Sequence, residues 1–111
     1  MNAMSIENAT VIDAIGVENI TGKVVLTISD HLEWADVRSH LEMLQEKLNA
    51  YIRYVESGEI DSSYPPAVGR ARVIDIVAKY EICDAAKPFI ESAGVTLANI
   101  GIELRTRTLS T

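Results

Sequence analysis

The stretch Asp30–Gly58, DHLEWADVRSHLEMLQEKLNAYIRYVESG, decides the fold. Its apolar residues Trp34, Val37, Leu41, Leu44, Leu48, Tyr51, Ile52 and Val55 recur at spacings of three and four, the period of one helix face. Asp30 followed by Glu33 has the form of a capping box, and Gly58 is placed for the left-handed residue that ends a helix. The stretch therefore predicts one long packing helix, with Leu41, Leu44, Leu48 and Ile52 largely buried. A second row, Met43, Lys47, Ala50 and Tyr54, lies about a quarter-turn from the main stripe. It widens the apolar arc, either for a helix sunk between sheet and loop or for a contact with a second copy of the chain.

Upstream of the helix the period changes from 3.6 to two. Val11, Asp13, Ile15 and Val17 share one face of a strand, and Val24, Leu26 and Ile28 share a face of the next. Between them Asn19-Ile20-Thr21-Gly22 has the composition of a hairpin turn. Asp13 falls in phase with the apolar set, which predicts either a rim position or a bulge. Downstream, Glu59 to Gly69 reads as a loop because Pro65 and Pro66 lack backbone donors. That loop carries Tyr64, read either as a binding residue or as packing on Pro65. Val73 to Tyr80 is apolar on both parities and predicts an interior strand. Asp84 to Ala93 predicts a short helix ending at Gly94, and Ile100, Ile102 and Leu104 an amphipathic last strand. The order strand, strand, long helix, strand, short helix, strand implies an α+β two-layer sandwich, helices on a four-stranded sheet. The connection through the long helix suits a right-handed parallel crossover.

The 111 residues suit a single domain running from Met4 to Thr111. Met1-Asn2-Ala3 reads as a possible cloning remnant ahead of an alternative start. No run is apolar enough for a membrane span, and the formal charge of −6 opposes broad binding to nucleic acid or anionic membrane. The single cysteine, Cys83, excludes an internal disulfide and fits a reducing cytoplasm.

The segments Val11–Val17, Thr21–Trp34, Leu44–Asn49 and Glu56–Ile60 together resemble a small bacterial family of domains of unknown function. The resemblance implies a bacterial, cytosolic setting. It brings no reaction, ligand or catalytic residue.

Three constellations of side chains have the residue types that chemistry needs. Glu33, Asp36 and His40 lie within about 60° on the expected helix and could face a metal. The acids, however, suit the helix N-terminus, and His40 flanks the apolar stripe, so no metal is expected. Cys83 precedes a short helix without a base near it in sequence, and neither His31 nor His40 is expected to contact it. Arg70, Arg72, Arg105 and Arg107 form two Arg-x-Arg pairs at strand spacing. On neighbouring strands they would make an anion-binding patch; otherwise they pair with acids such as Glu103 and Asp75. The expectation is a non-catalytic module without cofactor that binds another protein, one form being an inhibitor or immunity type, or pairs as a homodimer through the Met43 row. The alternative is a sensor of anions or small molecules built on Tyr64 and the arginine pairs. An enzyme using His40, Glu33 and Cys83 ranks last.

Overall fold

Alternation that continues through Asp30 sets the first half of the fold. In the computed structural model, which describes residues 6–9 and 11–109, β1 (Ala14–Val17) and β2 (Val24–Asp30) form an antiparallel hairpin. Gly22 closes the turn at φ 71°, a conformation that costs other residues steric strain. The long helix α1 (Val37–Glu56) follows, then a five-residue helix α2 (Glu59–Ser63), strand β3 (Arg72–Ala78), helix α3 (Lys87–Asn99) and strand β4 (Ile102–Thr108). Single 3-10 turns precede β3 and α3. The sheet order is β1-β2-β3-β4, with β2, β3 and β4 parallel. The α+β class and the strand–helix order match the sequence expectation. One departure is α2, because Gly58 at φ 84° both ends α1 and starts a new turn ahead of the prolines; another is α3, which starts at Lys87 and runs through Gly94 to Asn99 instead of ending there.

The helix begins later than its capping box suggested. Asp30 pairs across from Ala78 in the β2–β3 ladder, so it is strand and cannot be the N-cap. Asp36 caps instead, accepting from the Ser39 N–H at 3.1 Å and the Ser39 hydroxyl at 3.0 Å. The buried stripe is also rotated relative to the expected one. Leu44 and Leu48 are buried as expected, but Leu41 and Ile52 are only half-buried, and His40, Lys47 and Tyr51 occupy the core. Positions 40, 44, 47 and 51 lie on one helical row, so this shift is a coherent rotation of α1 on the sheet.

One face of the sheet holds the core. Val24, Leu26 and Ile28 of β2, Ile74 and Ile76 of β3 and Ile102 of β4 form one cluster with Leu44, Leu48, Tyr51, Ile60 and Leu97. Successive right-handed crossovers running in one direction across a sheet place their helices on a single face. The opposite parity, Val25, Thr27, Val73, Asp75 and Val77, belongs to no such cluster and carries no helix among the described residues.

Candidate functional site

Two buried polar networks dock α1 onto the sheet. In the first, the Lys47 ammonium, fully buried, donates to the carbonyls of Asn8 and Val11 at 2.6 Å each and to the Asp13 carboxylate at 2.8 Å. The other Asp13 oxygen accepts from the Ser29 N–H at 2.8 Å. The Tyr51 hydroxyl accepts from the Asp13 N–H and donates to the Thr27 carbonyl, and burial pushes that phenol well above its ordinary range. Asp13 thus lies in phase with the apolar set because a lysine meets it inside the core, with neither rim nor bulge required. In the second network, His40 Nε2 contacts the Asp30 carboxylate at 2.6 and 2.8 Å while Nδ1 meets the Glu33 carbonyl at 3.1 Å. Both ring nitrogens are thereby held against oxygen atoms of other segments, which fixes the orientation of the ring. Trp34 stacks on this ring at 3.6 Å between centroids.

These contacts assign structural roles to several candidates. Glu33 supplies a carbonyl, Asp36 a cap and His40 a buried tie, and no cluster of three metal-ligating side chains occurs among the described residues. His31 pairs with Glu7 at 3.2 Å on the surface, and Cys83 is half-buried just before a 3-10 turn. In the Met43 row, Lys47 is no surface residue at all, because its charge is consumed in the core. Met43, Ala50 and Tyr54 are half-buried, and Met43 and Tyr54 pack against the core; Tyr54 also bonds Ser63 at 2.5 Å.

The four arginines do not form one patch. Arg72 has the parity of Ile74 and Ile76 and lies on the helix side, where it donates to Asp61 at 2.6 Å and to the Ala67 carbonyl. Arg70 donates to the carbonyls of Pro66 and Gly22. Both therefore tie down the loop that contains Tyr64, whose ring packs against the core. Arg105 and Arg107 have the opposite parity to Ile102 and Leu104 and lie on the helix-free face. They are bonded to Glu103 and Asp75 respectively, the pairing that the sequence offered as the alternative to a patch.

That helix-free face is the most distinctive surface of the chain. Across the strands, Gly16, Val25, Val73 and Glu103 make one row, and Ala14, Thr27, Asp75 and Arg105 the next. Small side chains thus floor a depression of about 640 Å³ and charged ones edge it, among them Glu18, Asp75, Arg105 and Arg107. A belt of ion pairs crosses one end. Lys23 bonds Glu103 at 3.0 Å, Glu103 bonds Arg105 at 3.1 Å, and Arg105 reaches Glu18 in the hairpin turn at 3.0 Å. Hydrogen bonds from Arg105 and then Thr21 hold the Glu18 carboxyl below its ordinary range, and bonds from Lys23 and then Arg105 do the same for Glu103. Beside the belt, Asp75 is buried, and one of its oxygens accepts from Arg107 Nε at 3.0 Å. The other, Oδ1, is buried without a hydrogen-bond partner among the described residues, an arrangement that is costly and uncommon in folded proteins.

A family of unknown function, DUF6572, matches residues 4–110. The chain belongs to that family. No curated protein and no solved structure matches it. Membership in DUF6572 spans the whole sheet and every helix, so the open face and both buried networks lie within the family's domain. It attaches no chemistry to them. No helix among the described residues is long and apolar enough to cross a membrane.

Thr27, Gly16 and Glu18 are members of this face that the sequence reading did not single out, and Asp75 entered it only as an ion-pair partner for the arginines. Parity contains the signal: once Ile74 and Ile76 are assigned to the core, Asp75 must project from the other side.

Proposed function

We propose that this chain is a non-catalytic module that binds another protein through the helix-free face of its sheet. The observation that carries the reading is Asp75, a buried carboxylate with one oxygen unpartnered among the described residues, set in a depression that no helix or strand of the described residues covers. A donor from a partner, such as an amide, hydroxyl or basic side chain, would complete it. The depression lies along a sheet face rather than in an enclosing cleft of the kind that buries most of a small ligand, and this favours a macromolecular partner. The face carries Lys23, Arg105 and Arg107 against Glu18, Asp75 and Glu103, so it is balanced in charge. A partner of mixed charge fits it better than a uniformly basic one, which refines the inhibitor or immunity reading. The same proposal places the protein in the bacterial cytoplasm, in keeping with one free cysteine.

The test compares two substitutions in the producing cell. Thr27→Arg fills the floor of the depression while leaving the backbone carbonyl that Tyr51 uses. Gln45→Arg adds the same side chain on the exposed side of α1. A complex isolated with the parent chain should be lost with Thr27→Arg and kept with Gln45→Arg. Retention of the complex by a folded Thr27→Arg protein would overturn the proposal.

A further inference from the structure

The outer edge of β4 offers a second surface, independent of the open face. β4 ends the sheet, is seven residues long and contains neither proline nor bulge, a form that natural proteins seldom leave unprotected. The Leu109 N–H donates to Ala78 of β3 at 2.9 Å, so alternation turns the backbone groups of residues 103, 105 and 107 inward. Those of Ile102, Leu104, Thr106 and Thr108 point outward, and no backbone bond joins them to another element among the described residues.

We propose that two copies of this chain pair antiparallel through β4, about a two-fold axis at Leu104. In that register Leu104 faces Leu104 of the partner subunit, and Ile102 faces Thr106 of the partner subunit. All are outward-bonding positions, so the hydrogen-bonding pattern of an antiparallel ladder is met. Between them Glu103 faces Arg105 of the partner subunit, and Arg105 faces Glu103 of the partner subunit. These are close, non-hydrogen-bonded pairs of opposite charge on the helix-free face. The side chains are self-complementary, as an isologous interface requires. A shift of the axis to Arg105 would instead set two guanidinium groups against each other, which disfavours that register.

The helix side is shaped to match. Gly94 and Ala98 of α3 stand beside Ile102 and Leu104 and leave a depression of about 440 Å³ along the outer edge. A Cβ at Gly94 would already lie 4.0 Å from the Leu104 side chain, so a bulkier residue there would occupy the space. The partner's Leu104 would enter it. Val95, exposed on the same helix, would gain cover as the two α3 helices approach. The product is a continuous eight-stranded sheet, and its two helix-free faces join into one surface that carries both Glu103–Arg105 belts.

Sedimentation of the purified chain over a wide concentration range should give a dimer. Glu103→Arg places like charges opposite each other twice and should weaken association about tenfold. The swap Glu103→Arg with Arg105→Glu should restore it. In a Cys83→Ser background, Leu104→Cys should form a disulfide across the axis under mild oxidation, and Arg105→Cys should not. Thr106→Pro, which removes an outward N–H that no described residue of the monomer accepts, should give a folded monomer. A monomeric mass at every concentration would overturn the proposal. So would a dimer that survives the Glu103→Arg change and is not trapped at residue 104. Trapping at Arg105→Cys alone would overturn the register.

Discussion

Replacing Lys47 by Met tests the buried network at its centre. Met keeps most of the length and volume of the side chain and removes only the ammonium. Three hydrogen bonds disappear: those to the carbonyls of Asn8 and Val11 and the ionic one to Asp13. Asp13 stays 2% exposed, its charge then answered, among the described residues, by the Ser29 N–H. Removing one partner of a buried ion pair costs about 3–5 kcal/mol, because the remaining charge is left uncompensated. A domain of this size has a total stability of about 5–15 kcal/mol, so the loss takes from about a fifth of it to all of it. Urea denaturation followed by circular dichroism gives the number. The companion variant Asp13→Asn removes the opposing charge and keeps an acceptor for Ser29. Combined with Lys47→Met it should recover about 0.5–3 kcal/mol relative to the sum of the single effects. A Lys47→Met protein within about 0.5 kcal/mol of the parent, or strictly additive effects, would refute the network as a stabilising unit.

The remaining predictions concern the core, the cap and the surface belt. Leu44→Ala should cost about 2–5 kcal/mol and the half-buried Leu41→Ala clearly less, both read by the same denaturation assay. Equal losses would place the buried stripe of α1 where the sequence first suggested. Asp36→Ala should cost about 0.5–2 kcal/mol through loss of the N-cap, whereas a Glu33→Ala change leaves the helix start intact. Glu18 and Glu103 are held below the ordinary carboxylate range when folded, so their contribution is present above that range and lost as pH falls through it. Arg105→Gln should therefore separate variant from parent at neutral pH, and the gap should close in acid. Carboxyl shifts in NMR titration should move both glutamates toward ordinary values, and unchanged titrations would contradict the belt.

The change from period two to period 3.6 made the strands, the long helix and their order readable, because core-facing residues repeat with the geometry of each element. The start of α1 was misread for a local reason. Asp30-x-x-Glu33 and Asp36-x-x-Ser39 both offer a cap, and only the ladder contact between Asp30 and Ala78 decides between them. That Asp30 keeps phase with Val24, Leu26 and Ile28 was the available hint. Asp13, His40 and Lys47 were illegible singly, since a charge in an apolar row is explained only by the opposite charge that meets it from another element. The arginines were the converse case. The parity of Ile74 in β3 and Leu104 in β4 already places Arg72 and Arg105 on opposite faces, whatever the strand order. Asp75 follows from the same parity, but its unpartnered oxygen depends on how Arg107 and Arg105 turn, which strand spacing does not determine.

Labelling of a single thiol tests the open face most directly. In a Cys83→Ser background, cysteine placed at Thr27 lies on the floor of the depression, and cysteine placed at Ile28 lies in the core. With purified protein, a water-soluble maleimide should modify the first readily and the second only on unfolding. In intact cells at natural expression, the thiol at residue 27 should be shielded by the bound partner. Equal reactivity of that thiol in cells and in purified protein would contradict binding through this face, and protection in both would show that the face is not open.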